Sequence, residues 1–169
     1  MPAATYRREM SQQLLETPAD LLRFDLRTAV TMENDSLAAL GELAKAARSA
    51  DIKKMFRHHA DETKEQQQNL SRVFALLELP ESTAPSPSTK GISRQAGSLI
   101  ARSAPKLRDR VVLASALGNE HYEISAYRAL IISAEAMGAT EAVTLLQANL
   151  EQETHTSEEL DSMLQKITG

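Results

Sequence analysis

The chain has 169 residues and a formal net charge of −4, enough for one domain with a proper core and too acidic for a typical nucleic-acid binder. It has no Cys, which excludes disulfides, thiolate metal sites and a Cys nucleophile and gives no reason to assign an oxidising compartment. The N-terminus MPAATYRREMSQQ lacks an apolar run of signal-peptide length, and no stretch approaches the ~20 apolar residues of a membrane span, so a soluble, cytoplasmic protein with no membrane partner is expected.

Ala, Leu, Glu, Gln and Lys dominate and aromatics are only 4%, which favours helix over sheet. Helix A is predicted from Thr17-Pro18-Ala19-Asp20 to about Arg48. Thr17 suits the N-cap, Pro18 the first helical position and Asp20 a capping box. Ser49 and Asp51 open helix B after a short connection, so the pair is antiparallel. Helix B runs to about Leu79, where Pro80 stops it. Residues 80–90, PESTAPSPSTK, read as an irregular linker within a crossover spanning 80–104. A short helix from about Ile92 to Arg102 follows. Pro105 opens helix C, which ends near Met137 before Gly138. Helix D covers about Thr140 to Ile167. Residues up to about Glu16 are an arm or an extra helix. The expectation is a single all-α domain, a four-helix bundle of two antiparallel hairpins with one long crossover, which is the ferritin-like arrangement.

Bundle helices bury positions spaced alternately three and four apart. In helix A that seam reads Leu26, Val30, Glu33, Leu37, Leu40, Ala44, Ala47, apolar except for Glu33. In helix D it reads Leu146, Leu150, Glu153, Ser157, Leu160, Leu164, Ile167, with Glu153 as the acid. In helix C it reads Leu113, Leu117, Glu120, Ile124, Tyr127, Ile131, Ala134, and Glu123 lies one turn from Glu120 on nearly the same face. Helix B is more polar: Phe56, His59, Thr63, Gln66, Leu70, Val73, Leu77, with Glu62 sharing the face of His59. Helices rise equally per residue, so partners in a hairpin lie equally far from the turn. Glu33 then matches Gln66, with Glu62 one turn off; Glu123 matches Glu153, with Glu120 one turn further. The acids gather near mid-height.

Buried, unpaired carboxylates cost several kcal/mol each and repel one another. Such acids must be protonated, paired with cations, open to water or bound to metal. Iron or manganese with oxygen and imidazole ligands would resolve the conflict. Taken singly, each residue has a plainer reading. Glu33 is a helix-edge acid reaching water, Glu62 and Glu123 are solvated, and His59 is a core or surface histidine. Convergence of one acid per helix on an apolar seam favours metal. Tyr127 reads as packing with one hydroxyl hydrogen bond. His58, His121 and His155 lie off the ligand faces and read as surface.

Four stretches resemble a known family: Glu120-His121-Tyr122-Glu123-Ile124 with Ala126-Tyr127; His59-Ala60-Asp61-Glu62-Thr63 with Gln66; Glu33 before an Ala- and Leu-rich run ending LAKAA; and Leu150-Glu151-Gln152-Glu153. In order and spacing the chain, from about Leu22 to Leu164, resembles the YciE/YciF-like stress-associated proteins of the ferritin-like superfamily. The resemblance implies a ferritin-like bundle, a homodimer and a carboxylate-bridged dinuclear metal site. Superfamily members active on oxygen carry Glu-x-x-His on two helices. Here helix B has the reverse, His59-x-x-Glu62, and helix D has Thr156 and Ser157 after Glu153. Low imidazole supply favours an oxygen-rich, manganese-tolerant site over fast iron oxidation.

The expected function is therefore metal binding by Glu33, His59, Glu62, Glu120, Glu123 and Glu153. It would hold dinuclear iron, or manganese, and serve stress response, iron handling or peroxide and oxygen chemistry. Glu33 and Glu153 are terminal or bridging candidates, Glu62 and Glu120 bridging candidates, Glu123 an extra carboxylate and His59 the nitrogen ligand. The rival is a non-enzymatic interaction protein with a vestigial site, which pairing of Glu153 with Arg128 would support. Assembly into cargo or a shell is a third reading that no residue selects.

Overall fold

A computed structural model describes residues 14–169; the arm or extra helix expected up to about Glu16 lies almost wholly outside them. The helices are α1 (Pro18–Ala46), α2 (Ala50–Leu76), α3 (Pro87–Arg102), α4 (Arg108–Ala136) and α5 (Thr140–Thr168), with a 3-10 turn at Pro105–Leu107 before α4. Among the described residues every regular element is helical.

Local chemistry sets the helix ends. Thr17 Oγ1 accepts from the Asp20 N–H at 3.1 Å while Asp20 Oδ2 accepts from the Thr17 N–H at 3.0 Å, so the expected capping box forms with Pro18 behind it. At the other end of the bundle, Ser49 uses no side-chain cap. Asp109 does that work instead: its carboxylate accepts from the N–H groups of Arg48 at 2.6 Å and Ser49 at 3.2 Å. This places the start of α4 beside the α1–α2 turn and an anion at the N-terminus of α2. Gly138, at φ +69°, closes α4 in the left-handed conformation, where a Cβ would be strained.

Three boundaries differ from the sequence expectation. Helix α2 stops at Leu76 rather than Leu79, because Glu78 turns to φ +54° and the residue before Pro80 is barred from helix. Leu77 and Leu79 still pack on the core, which is why the apolar pattern ran on. Helix α3 begins at Pro87, inside the stretch read as linker, because proline is at home in a first helical turn. Pro105 opens the 3-10 turn, not α4 itself.

Helix α1 packs on α2 and α4, and α5 packs on α4 and α2, giving a four-helix bundle with α3 laid over α1 and α4. Since α2 ends at the opposite end from Asp109, the crossover must travel the length of the bundle. That is the ferritin-like connection. The apolar core falls into two clusters. One gathers Leu26, Met32, Phe74, Tyr127 and Leu146; the other gathers Leu40, Phe56, Leu113 and Leu160 around the α1–α2 turn. Each such side chain contributes roughly 1.5–3 kcal/mol when fully buried. Between the clusters lies a buried polar layer with Glu33, His59, Gln66, Glu120, Glu123, Asn149 and Glu153. Two apolar clusters thus hold a wet-chemistry layer out of water.

Candidate metal centre

Glu33 of α1, Glu123 of α4 and Glu153 of α5 converge in that layer. Each offers a carboxylate oxygen, and the three lie within 4.8 Å of one another. Glu33 is 0%, Glu123 1%, and Glu120 and Glu153 3% exposed. Glu120 stands one turn from Glu123 and shares a hydrogen bond with Glu153. Gln66 of α2 also hydrogen-bonds Glu153. No ion pair to Lys or Arg neutralises these acids among the described residues; Arg128 in particular is exposed.

Electrostatics follow from this burial. All four carboxyls are pushed above the usual range for Glu, first by loss of water. The charge of Glu153 adds to the rise at Glu33 and Glu123. Opposing it, Tyr127 donates to Glu33, and Ser36 and Asn119 hydrogen-bond Glu123. Hydrogen bonds to Glu120, Gln66 and Glu123 oppose the rise at Glu153.

Tyr127 is fully buried and donates to Glu33 Oε1. Its hydroxyl accepts from Asn149 Nδ2 at 3.0 Å, and Asn149 Oδ1 accepts from Asn69 at 2.8 Å. This chain of donors fixes one oxygen of Glu33 and leaves the other, Oε2, free. Phe at Tyr127 should leave Glu33 Oε1 without its donor. We expect a loss of about 1–3 kcal/mol in the metal-free protein, read from the denaturant midpoint; an unchanged midpoint would show that the hydroxyl contributes nothing.

The other expected residues stand further out. His59 is buried, but its Nε2 faces Glu159 Oε2 at 3.2 Å, not the three clustered acids. Burial pushes its imidazole below the ordinary range, against the opposing pull of Glu159. Glu62 is mostly covered but keeps an edge in solvent: its carboxylate meets His58 Nε2 at 3.5 Å and Thr156 Oγ1 at 3.4 Å, while its charge still acts on Glu153. His58, His121 and His155 are exposed, as expected. Asn149, Ser36 and Asn119 were not foreseen. Asn149 precedes Glu153 by one turn, and a polar residue there was the available signal.

The residues present suit a hard cation. Glu33 Oε2, Glu120 Oε2 and Glu123 Oε1 are buried oxygens without a hydrogen-bond donor, a costly arrangement for protein alone. Opposite oxygen ligands of a small divalent cation are about 4.2 Å apart, close to the spread of the three acids.

Comparison with known proteins decides the family. The profile of a domain of unknown function, DUF892, matches residues 17–169. The chain belongs to the DUF892 family. Escherichia coli YciF is 27% identical over 151 residues, covering 88% of this chain and 91% of YciF. The crystal structure of YciF, called a stress protein, superposes with a TM-score of 0.86 at 26% identity, over 90% of this chain and 98% of that one. YcfI of Rhodopseudomonas palustris gives 0.85 at 28% identity, over 89% and 96%. A Xanthomonas campestris protein gives 0.74 at 22%, over 90% and 94%, a likeness of fold alone. This DUF892 chain is therefore YciF-like, and the bundle and crossover foreseen from its sequence are those of its relatives. No helix among its described residues is long and apolar enough to cross a membrane.

Proposed function

We propose that this protein binds redox-active metal inside the bundle, as dinuclear iron or manganese, and serves in stress response by handling iron or acting on peroxide or oxygen. Glu33, Glu123 and Glu153 hold the metal, and Glu120 completes the set. The observation that carries this is the convergence of three buried carboxylate oxygens within 4.8 Å with no Lys or Arg paired to them among the described residues. A pair of such ions would supply one-electron steps at a protected centre. The chain's own contribution is to bind and orient: Tyr127 anchors Glu33, Ser36 and Asn119 anchor Glu123, and Gln66 steadies Glu153. The two apolar clusters exclude water. The all-oxygen donors favour manganese or iron over softer-ligand metals. That one relative is called a stress protein supports the physiological setting.

The test is metal content by mass spectrometry on protein made in medium supplemented with iron and manganese, with Glu120→Ala as control. About two metals per chain, lost in the control, are expected. No metal in the parent, with the fold intact, would favour the second reading, a structural protein with a relic site. YcfI, described as a proposed structural protein, is the observation that keeps that reading in view.

A further inference from the structure

The four acids of the centre are at most 3% exposed, so a dissolved cation has no direct line to them. Glu62 differs: its side chain keeps 17% exposure while its charge acts on Glu153. On its outer side stands His58, 3.5 Å away and 65% exposed. On its inner side Glu62 accepts from Thr156 Oγ1 at 3.4 Å, and Thr156 is itself buried, one turn from Glu153. His58 lines a groove of about 640 Å³ between α2 and α5, with His155, Glu158, Glu159 and Asp51 in its wall beside Lys54 and Lys166. His59 holds Glu159 from beneath. From the open groove inward the donors therefore run His58, Glu62, Thr156 and Glu153.

We propose that Glu62 is the relay by which a divalent cation passes from this groove to the buried carboxylates. The inference rests on the metal-binding reading above. A hydrated divalent ion cannot shed all its water at once; losing it stepwise needs oxygen or nitrogen donors on the way. His58 and the groove acids receive the ion. Glu62, anchored to α2 by a flexible stem, exchanges its hold on Thr156 and His58 for the ion. Glu153, one turn from Thr156 and part of the three-acid cluster, receives it on the inner side. On the opposite face, beneath α3, a cavity of about 20 Å³ touches Glu120. It has room for about one water, and besides Glu120 its wall carries only neutral polar groups, Ser36, Ser93, Ser115 and Asn119, so it offers a cation no second charged donor on the way.

The experiment mixes metal-free, full-length protein rapidly with Co²⁺, followed by its visible absorption, and measures final stoichiometry by mass spectrometry. In Glu62→Gln, uptake is expected to slow about tenfold or more, as when a steering charge is removed. Stoichiometry and the final spectrum should match the parent. His58→Ala, at an exposed position that does not threaten folding, should slow uptake by a smaller factor. Parent-like uptake in Glu62→Gln overturns the proposal. So does a lost equivalent or a changed spectrum, which would make Glu62 a ligand. If Glu62→Gln fails to fold, His58→Ala decides, and parent-like uptake there is the overturning result. No Co²⁺ taken up by the parent at all would instead remove the metal-binding reading, so the two failures are distinguishable.

Discussion

Replacing Glu33, Glu123 and Glu153 together by glutamine is expected to abolish metal binding and, in the same variant, to stabilise the metal-free protein at neutral pH. The second effect follows from burial. Each acid sits at 3% exposure or less, beside other acids and without a basic partner among the described residues. Keeping such a group charged opposes folding by about 1.4 kcal/mol for each unit its pKa is raised, and protonating it instead costs about 1.4 kcal/mol for each unit by which the pH exceeds its ordinary value. Glutamine keeps the shape and removes that opposition. Its oxygen can still accept from Tyr127 at position 33 and from Gln66 at position 153. Its amide must find acceptors, which returns part of the gain. A net gain of about 2 kcal/mol raises Tm by roughly 4–8 °C in a chain of this size. Function and stability would then pull against each other, as they do at binding sites generally. A triple variant less stable than the parent would mean that the carboxylates have favourable partners in the metal-free fold, and would support a structural role for the layer.

Much of this layer is legible in the sequence. Thr17, Pro18, Asp20 and Gly138 marked helix ends through chemistry that acts over one turn, and such signals survive tertiary context. Constant helical rise put Glu123 and Glu153 at one height, and the structure brings them together. Rotation was harder to read. On α1 the seam was traced through Val30, Leu37 and Ala44, yet the structure buries Ala29, Met32, Ser36 and Leu43 instead. A shift of one residue turns a helix by about 100°, and small residues such as Ala29 and Ser36 let neighbours approach closely without looking like core. The same turn hid Asn149 and Thr156, which flank Glu153 on the buried side. His59 shows the other limit. Periodicity pointed it inward, and it is buried, but periodicity cannot say that its ring reaches along α5 to Glu159. Capping of α2 by Asp109 left no local trace either, because Ser49 is 60 residues away in sequence.

The metal-free protein should lose stability as pH rises, and the metal-loaded protein should not. Glu33, Glu120, Glu123 and Glu153 are all raised above the ordinary value of 4.5, with burial as the first cause. Below that value both folded and unfolded chains hold these protons, and the contribution is fully present. As pH climbs past 4.5 the unfolded chain releases its protons first. The folded state then binds more protons than the unfolded one, so stability falls with each further step until the raised native values are passed. His59 acts in the opposite direction: lowered from 6.5 by burial, it takes stability away as pH falls below 6.5. Above that pH the carboxyls are therefore the clean signal. Metal reverses the sign, because it binds carboxylates and expels their protons, so its affinity grows over the window in which the metal-free fold weakens. Calorimetry between pH 6.5 and 8, with and without Mn²⁺, should show metal-free Tm falling and the gap to the loaded protein widening. A flat metal-free curve would mean that the acids are already charged and compensated at pH 6.5. A constant gap would place the bound metal away from these four groups.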